Sequence, residues 1–474
     1  VGNCNNLYGA EQADNVVYEI RHMLYKLKKG EEKMKKLLSL IFTLVLIMSL
    51  SACGKPTDTA EGGKEEGIKN TEAEKDTEVE KGSDLTLWIF LNPESDEDPR
   101  NVVLKEIVEE YNATNTMGNK VTVESIHYSK LESQAIQAAA AGTGPDIINV
   151  YTDMLKQHIE GGTIQPMTKY AEDFIPAIDG YTYSADSLKI NSEIYTLPWE
   201  SRTFVYWYRD DVFKEVAVSL SDLAARAGAQ STALLQGFVI GLSDGSNGAS
   251  FMESFVPFIR SAGGTIFDDS GKAVFNDEAG VQVLEYIKSL AESGSMDNSV
   301  LTLGVDEIVD AFKAGTILSC NAGTQRAAAI RSSELNEHIK SAPMLGFQEN
   351  EPSPAVVAGQ SLGIGKYCKD TDAAFDFIQT FYTKENQVKW LKANVLPAVK
   401  SAYDDEEIKA LSNYYELVSW NEYASKGQVE FYPADYSELS VKLAQVAQYV
   451  VFHDYDAKAE LDKVAEWYNK KNGF

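Results

Sequence analysis

Leu85-Thr86-Leu87-Trp88-Ile89-Phe90 is an apolar, β-favouring run with partial alternation, and it predicts a strand. Downstream, Asp98 stands as N-cap before Pro99, and Val103, Leu104, Ile107, Val108 and Tyr111 fall at helical spacing, so a helix follows. Residues 121–126 predict a short strand. Ser129-x-x-Glu132 reads as a capping box that opens a second helix, closed near Gly142, and 147–150 predicts a buried strand. This β-α-β-α-β order implies an α/β fold built on a mostly parallel sheet with helices on its faces.

Outward from this unit, the sequence predicts strands at 204–208, 238–242 and 316–320, and helices at 251–261, 279–293 and 305–314. After Gly359-Gln360-Ser361-Leu362-Gly363-Ile364 the pattern turns largely helical. The roughly 390 residues from Leu85 to Phe474 exceed what one core ordinarily supports, which predicts two lobes.

Upstream, Met34 is followed by Lys35, Lys36 and an apolar run over 37–50 that ends in Leu50-Ser51-Ala52-Cys53. A basic start, a short apolar stretch and small residues before a cut describe a secretory signal at 34–52. A membrane span would need about 20 apolar residues. The last four residues look like a lipobox, so Cys53 is the expected lipidation site and mature N-terminus. Residues 1–33 place a mixed-charge stretch ahead of a complete signal and read as an upstream extension, with Met34 as the start. From 53 to 83 the composition is rich in Glu, Lys, Thr and Gly, too polar to bury a core, and reads as a tether with a reach of roughly 30 Å.

The formal net charge of −28 becomes −30 after residue 52, with 36 Lys and Arg against 66 Asp and Glu. Such acidity disfavours nucleic acid and anionic membranes as partners. Beyond Cys53 only Cys320 and Cys368 remain, too few for a disulfide scaffold; they are either a pair or two buried thiols. No histidine or cysteine falls at metal-ligand spacing, and 142–144 lacks the Gly-Lys-Ser/Thr ending of a phosphate loop, so no metal or cofactor is expected.

Leu85-Thr86-Leu87-Trp88, Ala141-Gly142-Thr143-Gly144-Pro145-Asp146-Ile147-Ile148, Tyr195-Thr196-Leu197-Pro198 and the stretch from Tyr206 through Arg209 and Phe213 to Glu215 stand in an order that resembles the family 1 extracellular solute-binding proteins, the group that contains maltose-binding protein. One departure lies at Val218-Ser219-Leu220-Ser221-Asp222-Leu223-Ala224, which looks shortened against the family's pattern. The resemblance implies two α/β lobes joined by crossing strands, with a ligand cleft between them. Crossings are expected near 198–203, 319–323 and 360–364, making 84–200 with 322–362 lobe one and 201–321 with 363–474 lobe two. It also implies a lipid-anchored, monomeric binding subunit on the outer face of the cytoplasmic membrane, serving the permease of an ABC importer.

A sugar offers hydroxyls all round and weakly apolar ring faces, so its site needs flat aromatics and planar polar groups. The candidate aromatics are Trp88, Tyr151, Trp199 and Trp420, with Trp199 foremost. The polar candidates are Asp146, Asp153, Glu200, Arg202, Asn321, Thr324 and Gln360, each at an expected strand end or crossing. A non-sugar polar solute would use the same groups. Gly241-Leu242-Ser243-Asp244-Gly245 matches a nucleophile-elbow pattern, yet Ser246, Asn247 and Gly248 prolong a loop where an elbow needs a helix. A glycosidase would need two opposed carboxylates, and nothing in the sequence selects a pair.

Overall fold

The computed structural model describes residues 82–474 apart from 269, 430 and 431. The upstream extension, the signal, Cys53 and the tether as far as residue 81 lie outside the described residues. The first unit forms in the expected order: β1 (Asp84–Ile89), helix Pro99–Thr114, β2 (Lys120–Ser125), helix Leu131–Ala140 and β3 (Ile147–Tyr151). Asp98 caps the first helix by accepting the Arg100 N–H at 2.9 Å, ahead of Pro99. Leu87 faces Val123 on one side and Ile147 on the other, both in parallel register.

The sheet then departs from expectation. After the two-residue strands β4 (Ile164–Gln165), β5 (Lys189–Ile190) and β6 (Glu193–Ile194) come β7 (Thr196–Arg202), β8 (Phe204–Arg209), β9 (Ser319–Gly323), β10 (Ile339–Pro343), β11 (Val356–Gly365) and β12 (Leu396–Pro397). The first sheet runs β12-β7-β11-β3-β1-β2. Along this path it is parallel only through β1, β2 and β3, because β11 lies antiparallel to both β3 and β7; off the path, residues 428–429 pair parallel with β11. The second sheet, β10-β8-β9, is antiparallel throughout. The run at 238–242 adds only isolated bridges, with Val239 opposite Cys320, although Phe238, Val239, Ile240 and Leu242 are all buried. Burial on every side explains its apolar character without a strand.

Two cores make the two lobes. One gathers Leu85, Ile107, Trp199, Leu362, Phe377 and Trp390. The other gathers Trp207, Phe238, Phe312, Ile339, Trp420 and Tyr468. The expected boundaries shift accordingly: Ala327, Ile339 and Met344 pack in the second core, whereas Phe375, Ile378 and Ala398 pack in the first. The crossing near 198–203 is present, since β7 leads into β8. The one expected at 319–323 is not, because β9 stays paired with β8. Strand β11 carries the chain back, with Val356 in the second core and Leu362 in the first; from 388 to 402 the chain serves both cores, Val388, Leu391, Leu396 and Ala402 packing in the second and Trp390, Val395 and Ala398 in the first. An apolar stripe shows that a helix has a core-facing side and leaves open which core that is.

At the β7–β11 crossing a Cβ on Gly359 would lie 2.0 Å from the Glu200 carbonyl oxygen, so only glycine permits this approach. The departing stretch after Val218 forms a helix, Leu220–Gln230, capped by the Ser219 hydroxyl. Cys320 and Cys368 are free, buried and in different cores. Among the described residues no helix is long and apolar enough to cross a membrane.

Two buried groups bias stability in opposite directions. His158 is fully buried with Nδ1 2.8 Å from the Thr163 hydroxyl, and burial pushes its pKa from 6.5 down to about 4. Between those values the unfolded chain binds the proton that the folded chain refuses, so this stability is present above 6.5 and lost as pH falls towards 4, at up to about 1.4 kcal/mol per pH unit. Burial raises Glu132 from 4.5 to about 7. Its contribution is present below 4.5 and lost as pH rises through 7. Urea unfolding at several pH values between 4.5 and 7.5 should therefore show a shallower acid-side loss in His158→Gln than in the wild type. Parallel pH dependences in the two proteins would remove His158 as the cause.

Candidate ligand-binding site

Strands β3, β11 and β7 lie side by side, and their register sets Tyr151, Gln360 and Glu200 in one row where the chain passes between lobes. Two residues beyond Glu200, the Arg202 Nη2 donates to Glu200 Oε2 at 2.9 Å, and the guanidinium lies 5.6 Å from the Tyr151 ring centroid. Asp153 follows in the turn Thr152–Met154, and Glu132 stands in the first turn of helix Leu131–Ala140. The second lobe contributes Glu253 on helix Ala249–Ser261, paired with Arg326 at 3.7 Å. It also contributes Tyr432 and Tyr436, stacked at 3.7 Å and 2°, and the Tyr432 N–H donates to the Asp153 carbonyl at 2.8 Å.

These groups share a feature that buried polar atoms rarely have. Glu132 Oε1, Asp153 Oδ1, Glu200 Oε1, Glu253 Oε2, Arg202 Nε and Gln360 Nε2 are buried without a hydrogen-bond partner. An unmade bond of this kind costs about 1–3 kcal/mol, so their gathering marks a place where a solute would complete the structure. Burial raises the pKa of Asp153, against the pull of Arg202, and raises Glu253 against the pull of Arg326 and Arg202. Burial works against the charge on Arg202, but Glu200, then Tyr151 and Asp153, outweigh it and keep the guanidinium charged.

The lobes also meet at an exposed contact. Tyr128, in the loop after β2, donates to Asp306 Oδ2 at 3.1 Å from across the lobe boundary. Arg326 Nε holds the other oxygen of Asp306 at 3.2 Å, so one guanidinium touches both this contact and Glu253.

Tyr151, Asp153, Glu200, Arg202 and Gln360 are thus brought together. Trp199 is not among them: it is 0% exposed, packed 4.6 Å from Trp390 and 5.6 Å from Phe381. All seven residues of β7 are buried, so a tryptophan there faces core as readily as cleft. Its indole N–H donates to Asn149 Oδ1 at 3.1 Å, and Asn149 in turn donates to Gln360 Oε1, which turns the Gln360 amide N–H group outward. Trp420 is also core, against Trp207 and hydrogen-bonded to Ser341. Asp146 sits at the opposite end of β3 and accepts from the Thr86 N–H at 2.9 Å and hydroxyl at 3.0 Å, a structural clamp. Trp88 packs, half-buried, against Ile148 and Val150. Asn321 donates to Ser254, and Thr324 ties the crossing by its backbone bond to Thr203.

Glu132, Glu253, Asn149, Tyr432 and Tyr436 escaped the sequence reading. Glu132 carried a signal that pointed elsewhere: the Ser129 hydroxyl bonds to His127 Nδ1, Lys130 takes the N-cap position, and the expected capping box does not form. Ser243 is no nucleophile elbow. Its hydroxyl accepts the Gly245 N–H at 3.1 Å, and the helix begins only at Ala249. Asp210, Asp211 and His338 do come within 4.8 Å of one another, contrary to the spacing argument. Arg209 pairs with Asp211 and Lys340 lies 3.5 Å from Asp210, so local cations already neutralise these acids.

Residues 106–416 match the family described as bacterial extracellular solute-binding protein. The chain belongs to this family. Among its relatives is the sn-glycerol-3-phosphate-binding periplasmic protein UgpB of Shigella dysenteriae serotype 1, 23% identical over 77% of this chain and 84% of the relative. Another is the galactooligosaccharide-binding protein of Bacillus subtilis, 21% identical over 76% of this chain and 80% of its own length. The fold is similar to that of an ABC substrate-binding protein from Listeria monocytogenes in complex with cycloalternan, with a TM-score of 0.70, 18% identity, and coverage of 83% of this chain and 100% of that one. An extracellular family places the work of this solute-binding protein outside the cytoplasm.

Within this binding protein, Trp199 acts through the core and through Asn149. Trp199→Ala should lower the unfolding free energy by about 3–5 kcal/mol in urea, and Trp199→Phe by less. Unchanged stability with loss of ligand affinity would place the ring against ligand instead.

Proposed function

We propose that the protein is the solute-binding subunit of an ABC importer, held outside the cytoplasmic membrane by lipid on Cys53, and that it captures a sugar or oligosaccharide between its lobes without altering it. The observation that carries this reading is the set of unpartnered, buried planar groups at the lobe boundary. Carboxylates, a guanidinium and a primary amide make the paired hydrogen bonds that vicinal hydroxyls require. Tyr151 supplies a flat ring from the first lobe, and the stacked Tyr432 and Tyr436 supply rings from the second. The lobes turn about the segments through Thr203, β11 and 398–402, and closure brings Glu253 to the groups of the first lobe. The galactooligosaccharide-binding relative and the cycloalternan-bound neighbour support a carbohydrate. The glycerol-phosphate-binding relatives favour another polar solute as the second reading.

A thermal-shift screen over mono-, di- and oligosaccharides tests the ligand. A true ligand at 100 times its dissociation constant should add about 2.7 kcal/mol of stability. Tyr151→Ala should then weaken binding by about 2 kcal/mol, some thirtyfold. If no sugar moves the melting temperature, the carbohydrate reading fails. The anchor is tested by fractionation: Cys53→Ser should move the exported protein from membranes to the soluble fraction, and a variant that stays membrane-bound would place the anchor elsewhere.

A further inference from the structure

The indole of Trp199 has a single polar atom, and that atom can only donate. Its N–H reaches Asn149 Oδ1 at 3.1 Å, so the Asn149 amide turns its oxygen to the indole and its NH2 group the other way. That NH2 group meets Gln360, whose Oε1 accepts from Asn149 Nδ2. Gln360 is left with Nε2 on its free side. An amide turned end for end keeps its shape, so its polarity is set by its hydrogen-bond partners alone. Here a donor-only group at the head of the chain removes the choice at both residues. All three are 0% exposed, where an unmatched polar atom is costly.

The arrangement depends on a bulge in β7. Gln360 pairs with Glu200, but the next residue of β11, Ser361, pairs with Pro198, so Trp199 has no partner on β11. Without that extra residue Trp199 would stand opposite Gln360; with it, Glu200 does. The ring packs in the first core against Trp390 and Phe381 while its N–H stays within reach of Asn149. Tyr151 completes the row from β3. Burial raises the Tyr151 pKa, with Glu132 and Glu200 adding to the rise, and Arg202 and the Gln360 amide pull against it. The approach of Gln360 to Tyr151 stops short of a hydrogen bond, and Nε2 keeps its capacity to donate.

We propose that Trp199 and Asn149 are positioning residues that lock Gln360 as a hydrogen-bond donor to the solute, so that the captured molecule must place an acceptor oxygen against Gln360 Nε2. The inference rests on the solute-binding reading of this cleft and adds a requirement to it. A sugar oxygen or a phosphate oxygen meets that requirement, whereas an ammonium group, which only donates, does not. The tryptophan acts on the ligand from inside the core, without touching it.

Neutron diffraction from crystals of the perdeuterated, unliganded protein reads the polarity directly, because deuterons mark the nitrogen of each amide. They are expected on the Asn149 atom facing Gln360 and on the Gln360 atom facing away from Asn149. The reverse placement overturns the proposal. Trp199→Phe keeps a ring in the core and removes the donor, so both amides should turn over or occupy two orientations. A single unchanged orientation in that variant removes the indole as the cause. Calorimetric titration with maltotriose and with sn-glycerol 3-phosphate gives the functional arm and tells a sugar oxygen from a phosphate one. For a probe that binds the wild type, Gln360→Met should weaken affinity about tenfold, and Trp199→Phe and Asn149→Leu about fivefold each. In the Gln360→Met background the same two substitutions should change affinity by less than about twofold, since the group they position is gone. Equal losses in both backgrounds would assign Trp199 and Asn149 to packing alone and sink the proposal. Asn149→Leu keeps this comparison available should Trp199→Phe fold poorly. If neither probe binds the wild type, the solute reading fails for both ligand classes and the required acceptor fails with it, whereas the amide lock stands or falls on the deuterons.

Discussion

All ten residues of β11 are buried, and the strand pairs with β3 on one side and β7 on the other. Its main-chain groups are therefore answered by neighbouring strands, but the side chain of Gln360 is carried into the interior at 0% exposure. The structure answers half of the demand through Asn149, itself held by Trp199, and leaves the amide N–H group open. Glu200 and Arg202 on β7 repeat the pattern, with a direct ion pair and one open atom on each. A buried pair stripped of one member would cost about 3–5 kcal/mol. The crossing strands are thus held together by groups that also keep open hydrogen-bonding atoms at the lobe boundary.

The second lobe adds what the first lacks. Glu253, Tyr432 and Tyr436 reach the groups of the first lobe from separate elements, and Tyr432 donates its N–H to the Asp153 carbonyl. At the surface, the Tyr128–Asp306 contact closes the lobes with a single neutral-to-charged hydrogen bond. Tyr128 is 38% exposed, and such a contact in water is worth little by itself. A solute that paired the interior groups in a closed form but not in an open one would shift the balance by its differential affinity.

Much of the fold was legible because its first unit is written in strong local signals. The cap at Asp98, the proline after it and the helical stripe through Val103 to Tyr111 each act within one turn, and all survive in the structure. Strand direction was less legible. Nothing local records that β11 enters between β3 and β7 from the opposite end, since antiparallel insertion follows from a chain that returns from the other lobe. The strand-end rule picked out Tyr151, Asp153, Glu200, Arg202 and Gln360, which the structure sets near one another on or just beyond β3, β7 and β11. It misplaced Trp199 because a strand buried on both faces shows no alternation to tell core from cleft. Glu132, Glu253, Tyr432 and Tyr436 stand on or beside helices whose orientation only the tertiary packing decides.

Charge in this protein acts at two ranges. The formal net charge of −28 is spread over an exposed surface, where salt screens it beyond about 8 Å. That surface slows the approach of anions without deciding what is held. The acids at the lobe boundary are different in kind, because water and counter-ions are excluded from them and their interactions are screened far less. Arg202 pairs with Glu200 and its charge reaches Asp153 and Glu253, while Arg326 pairs with Glu253 from the second lobe. A solute that paired these atoms would act on their protonation as well as on their hydrogen bonds.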